Sequence, residues 1–418
     1  MPKRPGSQTS PPTTFVIACE RGECDAQTPS NGLGMNLFTK HERDYINSLP
    51  TSARNKIRRT LESSKDVEEP LRVSLLRSRL PQAYKMNLFK MLTCEPSDKN
   101  EALVRSALRV PYGNYCAPPV EKDAGIFLRD AEINMDEHIT GHEHAKREVL
   151  SILAQWHGGG RSPFAISFEG PPGTGKTTFV KHALAAVIGR PMQEVCLGGA
   201  SDASFLIGHG FTYEGARPGR LVETLMESKK MDPVIFFDEL DKVSDTPRGD
   251  ELFNVLIHLT DPVMNSKIRD RYFLGLDLDF SRAILVFSFN DARRVNPILL
   301  DRIRRIKLDP PTVTQKRTII QRQLLPRLRL SSTCDMEIEE SALAALEDFH
   351  KSDVGMRGVE RSLHELLSLA LLCKRYGSCK IVGMSDVPLE HVSGKFAKHI
   401  LTARDRASTS APPCNMYT

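Results

Sequence analysis

Short apolar runs alternate with longer amphipathic stretches through the middle of the chain. The runs are Phe164–Phe168, Glu194–Leu197, Val234–Phe237, Ala283–Phe287 and Ile303–Leu308. Each has strand length and is close to continuously apolar rather than alternating. Strands of that kind, separated by helices, are covered on both faces, so the pattern predicts a parallel α/β sheet. Upstream, from about Asn36 to Thr93, the spacing is helical over Arg54–Leu61, Pro70–Arg77 and Tyr84–Leu92, with Pro50, Pro70 and Pro81 as punctuation. Val110-Pro-Tyr-Gly-Asn-Tyr115 and Ala117-Pro-Pro119 break that pattern and read as a linker. A charged helix is expected over Gly141–Trp156. After Pro310-Pro311 the strands cease, and Gln315–Leu330, Ser341–His350 and Gly358–Cys373 take helical spacing.

The expected organisation is therefore a flexible tail over 1–33, a helical segment and linker over 34–120, a large α/β domain over 121–310, a small helical domain over 311–403 and a polar tail over 404–418. No internal repeat is present. Composition narrows the class. Lys plus Arg is 57 and Asp plus Glu 52, a net charge of +5 over 418 residues, too small to announce a nucleic-acid binder. No run approaches the ~18 apolar residues that span a bilayer, so no membrane role is expected. The start, Met-Pro-Lys-Arg-Pro-Gly, has no sustained apolar stretch, and Glu20, Glu23 and Asp25 argue against an acid-poor transit peptide. The nine cysteines lack zinc-ribbon spacing and read as reduced thiols of a cytoplasmic protein.

The sharpest chemistry is Gly170-Pro171-Pro172-Gly173-Thr174-Gly175-Lys176-Thr177, an unbroken G-x-x-x-x-G-K-[ST] between a strand and a helix. The glycines let backbone N–H groups curl around an anion, and the helix start adds a favourable dipole. Lys176 supplies charge for β- and γ-phosphates, and the Thr177 hydroxyl is placed for Mg²⁺. Further on, the strand of Pro233-Val-Ile-Phe-Phe-Asp238-Glu239 ends in two carboxylates at the carboxyl edge of the sheet, where open α/β folds bind ligands. Asp238 is the expected Mg²⁺ partner and Glu239 the group that activates water. The strand Phe287-Ser-Phe-Asn290 ends in an amide placed to bond the γ-phosphate or its water; a turn-forming Asn is the plainer alternative. His138, His142 and His144 lack H-E-x-x-H spacing and are not read as a metal site.

These strand ends, in this order, resemble the AAA+ ATPases, and the finer resemblance is to the ATPase part of the Lon family. It is carried by Val110-Pro-Tyr-Gly-Asn-Tyr115, Gly141-His-Glu-His-Ala-Lys-Arg-Glu-Val-Leu150, Gly208–Arg220, Arg248-Gly-Asp250, Asp261-Pro-Val-Met-Asn265, Leu299-Leu-Asp-Arg302 and Gly355-Met-Arg-Gly-Val-Glu-Arg361, over roughly residues 45–390. The resemblance implies an AAA+ sheet with an α-helical lid, ATP and Mg²⁺ as cofactors, and a homo-hexameric ring acting on polypeptides. It implies that Arg302 is an arginine finger reaching a neighbour's nucleotide and that Arg357 is the lid's sensor. It implies that Tyr213 is the aromatic residue that grips a threaded chain. Glu214 stands where the family has an apolar residue. The family's Ser-Lys peptidase domain and its large substrate-binding region are not expected here. Two other readings stay open. One is a nucleic-acid-associated motor, supported by the cluster Arg293, Arg294, Arg302, Arg304 and Arg305; the other is an ATPase that partners a separate peptidase.

Overall fold

The central sheet follows from five short segments, the inner three of which are apolar on both sides. In the computed structural model they are β1 (Ala165–Glu169), β2 (Met192–Cys196), β3 (Val234–Asp238), β4 (Ile284–Phe289) and β5 (Arg304–Lys307). All neighbours are parallel, in the order β2-β3-β4-β1-β5. Each lies within two residues of its expected position. The described residues are 44, 46–52, 54–55, 70–116, 123–157, 165–200, 202–244, 246–332, 336–384 and 391–409. The tail expected over 1–33, most of the helix expected over Arg54–Leu61, and Phe164 lie outside them. Two units divide the chain, Met1–Glu69 and Pro70–Thr418. In the first, the described residues are helical on either side of Pro50. The second contains everything that follows.

Continuous apolar strands conceal a period of two. Val234 and Phe236 of β3 face one side with Ile284 and Val286 of β4. There they meet α4 (Ala124–His138), α5 (Glu143–His157) and α6 (residues 176–188), the helix that follows β1. Ile235, Phe237, Leu285 and Phe287 face the other side. That face is covered by α7 (Arg220–Ser228), α8 (Pro247–Thr260) and three earlier helices, α1 (Leu71–Arg77), α2 (Gln82–Cys94) and α3 (Asp98–Arg109). The outer strand β5 buries only Ile306 and exposes Arg304, Arg305 and Lys307. Charges on an outer strand discourage pairing with another chain.

Of the segment read as a linker, Ala117–Pro119 lie outside the described residues, and the part up to Cys116 is strapped down. The Met231 N–H donates to Asn114 O at 2.8 Å, and the Tyr112 hydroxyl donates to Asp277 O at 3.0 Å. The Cys116 N–H donates at 2.8 Å to Asp232, a buried carboxylate paired with Arg190 at 3.3 Å. Past the sheet, α9 runs through Val313–Ile319, a π-helical turn Ile320–Leu324 and Leu325–Ser332. It joins α10 (Glu340–Phe349), α11 (Arg357–Tyr376) and α12 (Gly394–Thr409) around a core of their own, which includes Leu343, Leu363, Leu366 and Phe396. A reciprocal capping box of Thr312 and Gln315 starts α9.

Five of these helices are not marked by sequence spacing: α3, α4, α7, α8 and α12. In α4, Phe127, Ala131 and Met135 recur every fourth residue and are buried, but the preceding prolines obscured the start. Helix α12 continues past Arg404, where a polar tail was expected to begin; Phe396, Ala397, Ile400 and Leu401 give it a buried stripe. Among the described residues no helix is long and apolar enough to cross a membrane. Phe287 is fully buried and stacks on Phe237 with ring centroids 4.9 Å apart. Replacing it with Ala should cost about 3–5 kcal/mol of stability, read from chemical denaturation.

Candidate active site

The loop after β1 is built of backbone. Gly173 and Gly175 take φ of +79° and +89°, a region that side chains resist. Helix α6 then starts at Lys176, running through Lys176–Phe179, a π-helical turn Val180–Ala185 and Ala186–Ile188. Gly175 caps it without a side chain, so the first N–H groups are left for an anion. The Lys176 ammonium donates to Gly170 O at 2.6 Å, Pro171 O at 3.1 Å and Asn290 Oδ1 at 2.7 Å. Burial lowers its pKa, opposed by Asp238 and Asp241 and reinforced by Arg357. Arg357, Asp238 and Asp241 line the same cavity as the ammonium.

The ends of β3 and β4 supply the carboxylates and the amide. Asp238 accepts from the Ser288 hydroxyl and from the Glu239 N–H at 3.0 Å. Glu239 sits at φ +61°, a strained value for a residue with a side chain. Its carboxylate is paired with Lys242 and lies 3.8 Å from Cys196 Sγ. The Lys242 ammonium is the main cause that holds it below the usual carboxylate range. Gly198 makes the room: a Cβ there would lie 2.1 Å from Glu239 Oε2. Asp241 accepts from the N–H groups of Asn290 and Asp291 at 3.0 and 3.2 Å, which fixes the turn that presents Asn290.

The helical domain closes the site from the other side. The Met356 N–H donates to Gly173 O at 2.9 Å, and Arg357 opens α11 beside the loop. The turn before it is braced by His350, whose ring bonds Asp353 at 2.7 Å and Ser362 at 2.8 Å. Lys316 donates to the carbonyls of His350 and Asp353. The chain Ser362–His350–Asp353 has the order of a hydrolytic triad, but Ser362 is fully buried. The cavity beside His350 is about 10 Å³, no more than one water. It is a brace.

One large cavity, about 1020 Å³, gathers these groups. It is lined by the loop from Pro172 to Thr177 and by Asp238, Glu239, Asn290 and Arg357. The glycine cradle fits a chain of phosphates. The Thr177 hydroxyl and Asp238 carboxylate are hard oxygen donors on the same cavity and fit Mg²⁺. Two predicted residues lie elsewhere. Arg302 is paired with Asp261 at 2.9 Å and bonds Ile257 O at 3.2 Å. Tyr213 is 70% exposed on the loop between Gly208 and Gly219. Among the described residues no group of three or more His, Cys, Asp or Glu side chains is placed to hold a metal ion.

Sequence reasoning missed Ser288, Asp241, Cys196, Lys242 and His142. Two of these left a trace. Ser288 is a lone hydroxyl inside an apolar strand, and Asp241 follows Asp238 by one turn. His142 contacts Thr174 O at 3.1 Å, and burial pushes its pKa below the usual imidazole value. His138 and His182 stack at 4.4 Å on the cavity wall; burial, then His138 itself, lower His182.

Residues 166–310 match the AAA model, the ATPase family associated with various cellular activities. A Lon protease homolog of Acanthamoeba polyphaga mimivirus is 35% identical over 246 residues, covering 58% of this chain and 24% of that protein. The Lon protease of Campylobacter concisus is 36% identical over 205 residues, 48% of this chain and 25% of that protein. The peroxisomal Lon protease homolog 2 of Zea mays is 31% identical over 256 residues, 60% and 28%. The chain thus spans about a quarter of the length of these relatives.

The meeting of Gly355 with the loop gives a direct test. A Cβ at Gly355 would lie 2.3 Å from Pro172 O. Gly355→Ala should therefore push the Arg357 end of α11 off the loop. Affinity for a fluorescent ATP analogue should fall by about tenfold, equivalent to about 1.4 kcal/mol. Unchanged affinity would show that this contact does not shape the site.

Proposed function

Starting from an AAA ATPase domain related to that of the Lon proteases, we propose that this chain hydrolyses ATP with Mg²⁺ in a ring of six copies to unfold or remodel polypeptides. The observation that carries the reading is a division of residues. Lys176, Asp238, Glu239, Asn290 and Arg357 converge on one cavity, whereas Arg302 stands outside it.

Each side chain has a task in this reading. The loop Gly170–Thr177 and the Lys176 ammonium hold the β- and γ-phosphates. Thr177 and Asp238 would hold Mg²⁺, which would supply positive charge against the phosphate oxygens. Glu239 leaves Lys242 to orient and deprotonate water, and Asn290 steadies that water or the γ-phosphate. Arg357 senses the nucleotide from the helical domain. Arg302 serves a neighbouring copy, where such a residue is worth about 10³–10⁵ in rate. Tyr213 grips an extended polypeptide by non-specific packing.

Of the arginines behind the nucleic-acid reading, Arg293 pairs with Asp291, Arg302 with Asp261 and Arg304 with Glu148, which offsets part of the cluster's charge. The proposed setting is cytoplasmic. Copurification of a peptidase on another chain would extend the proposal to an unfoldase that feeds it.

Two measurements test the mechanism. Glu239→Gln should still bind ATP, with hydrolysis down by about 10²-fold or more. Arg302→Ala and Lys176→Ala should each be inactive alone, yet mixing the two proteins should restore part of the turnover, because one copy's Lys176 site then meets another's Arg302. A strictly monomeric enzyme with full activity by native mass would refute the ring.

A further inference from the structure

The loop that carries Tyr213 is clasped at both ends. At its base the Gly219 N–H donates to the buried Asp270 carboxylate at 2.7 Å, and the His209 N–H donates to Arg217 O at 3.2 Å. Gly208, at φ +74°, has no room for a Cβ, which would lie 2.7 Å from Asp270 Oδ1. At its tip the Tyr213 N–H donates to Gly210 O at 3.1 Å and the Ala216 N–H to Tyr213 O at 3.3 Å. Phe211 turns inward and packs edge-on against Tyr272 with centroids 5.7 Å apart, while Tyr213 turns out.

A third group reaches the tip from far along the chain. The Lys99 ammonium donates to Thr212 O at 3.0 Å and Tyr213 O at 3.5 Å, and lies 5.0 Å from the centre of the Phe211 ring. Lys99 is in the first turn of α3, whose cap is Ser97. A cation there opposes the helix dipole, and position 103, one turn on, is Leu rather than a carboxylate. Local helix energetics therefore do not account for a lysine at 99. Two carbonyls and an aromatic face do.

We infer that Lys99 is a positioning residue that clamps the tip of the Gly208–Gly219 loop to α3 and so sets where Tyr213 stands. Helix α3 is anchored in the core by Leu103, Val104 and Ala107. Pull on Tyr213 is thereby passed to the helices ahead of the sheet as well as to the sheet itself. The use of the loop on polypeptide rests on the proposed function; the clamp does not.

The test compares the parent with Lys99→Met, which keeps the stem and removes the ammonium, and Lys99→Arg, which keeps the donors. Hydrogen exchange across 208–219 should quicken by about tenfold at Tyr213 and Ala216 in Lys99→Met, the effect of losing a charge-assisted bond. The melting temperature should hold, and Lys99→Arg should restore protection. With unfolded casein as the probe, Lys99→Met should need several times more polypeptide for half-maximal stimulation of ATPase, with basal turnover unchanged. Identical exchange in Lys99→Met and the parent would overturn the clamp. Should casein fail to stimulate the parent, the polypeptide reading would fall, and the exchange comparison would still decide the clamp.

Discussion

Three places where backbone must touch backbone hold the candidate active site together. A Cβ on Gly170 would come within 2.5 Å of Leu308 O, at the end of β5. One on Gly173 would meet the nitrogens of Met356 and Arg357 at 3.1 Å, and one on Gly355 would strike Pro172 O. The phosphate loop, the outer strand and the helical domain are thus pressed together with no side chain between them. The loop meets the start of α11 across a hydrogen bond from the Met356 N–H to Gly173 O.

Around that seam the charges are arranged in opposition. Asp238, Glu239 and Asp241 crowd the end of one strand, facing Lys176, Lys242 and Arg357. Partial burial weakens screening, so each charge needs an answer nearby. Lys242 answers Glu239, and backbone N–H groups answer Asp241. The one strained residue among them is Glu239. Strain at that position persists only because its neighbours hold it there.

The sheet could be read from sequence because burial on both faces leaves unbroken apolar runs, and Val234–Asp238 is a clear instance. The phosphate loop could be read because its chemistry is local, eight successive residues with fixed roles. The carboxylates and Asn290 followed because strand ends in a parallel sheet share one edge. What escaped was tertiary. Ser288 reaches Asp238 across 50 residues and Lys99 reaches Thr212 across 113, and no periodicity encodes such meetings. Helix α12 escaped because charge along its length masked a narrow buried stripe.

The widened turns in α6 and α9 remain. Val180–Ala185 and Ile320–Leu324 each bond one residue further along than a regular helix does. Both flank the cavity, one contributing His182 and the other Gln323 and Leu324. An extra residue in a helix rotates everything after it by about 100°. Each bulge therefore works as a spacer that lets the first half of a helix face one neighbour and the second half another. Losing a single residue from either would leave a perfectly good helix aimed in the wrong direction.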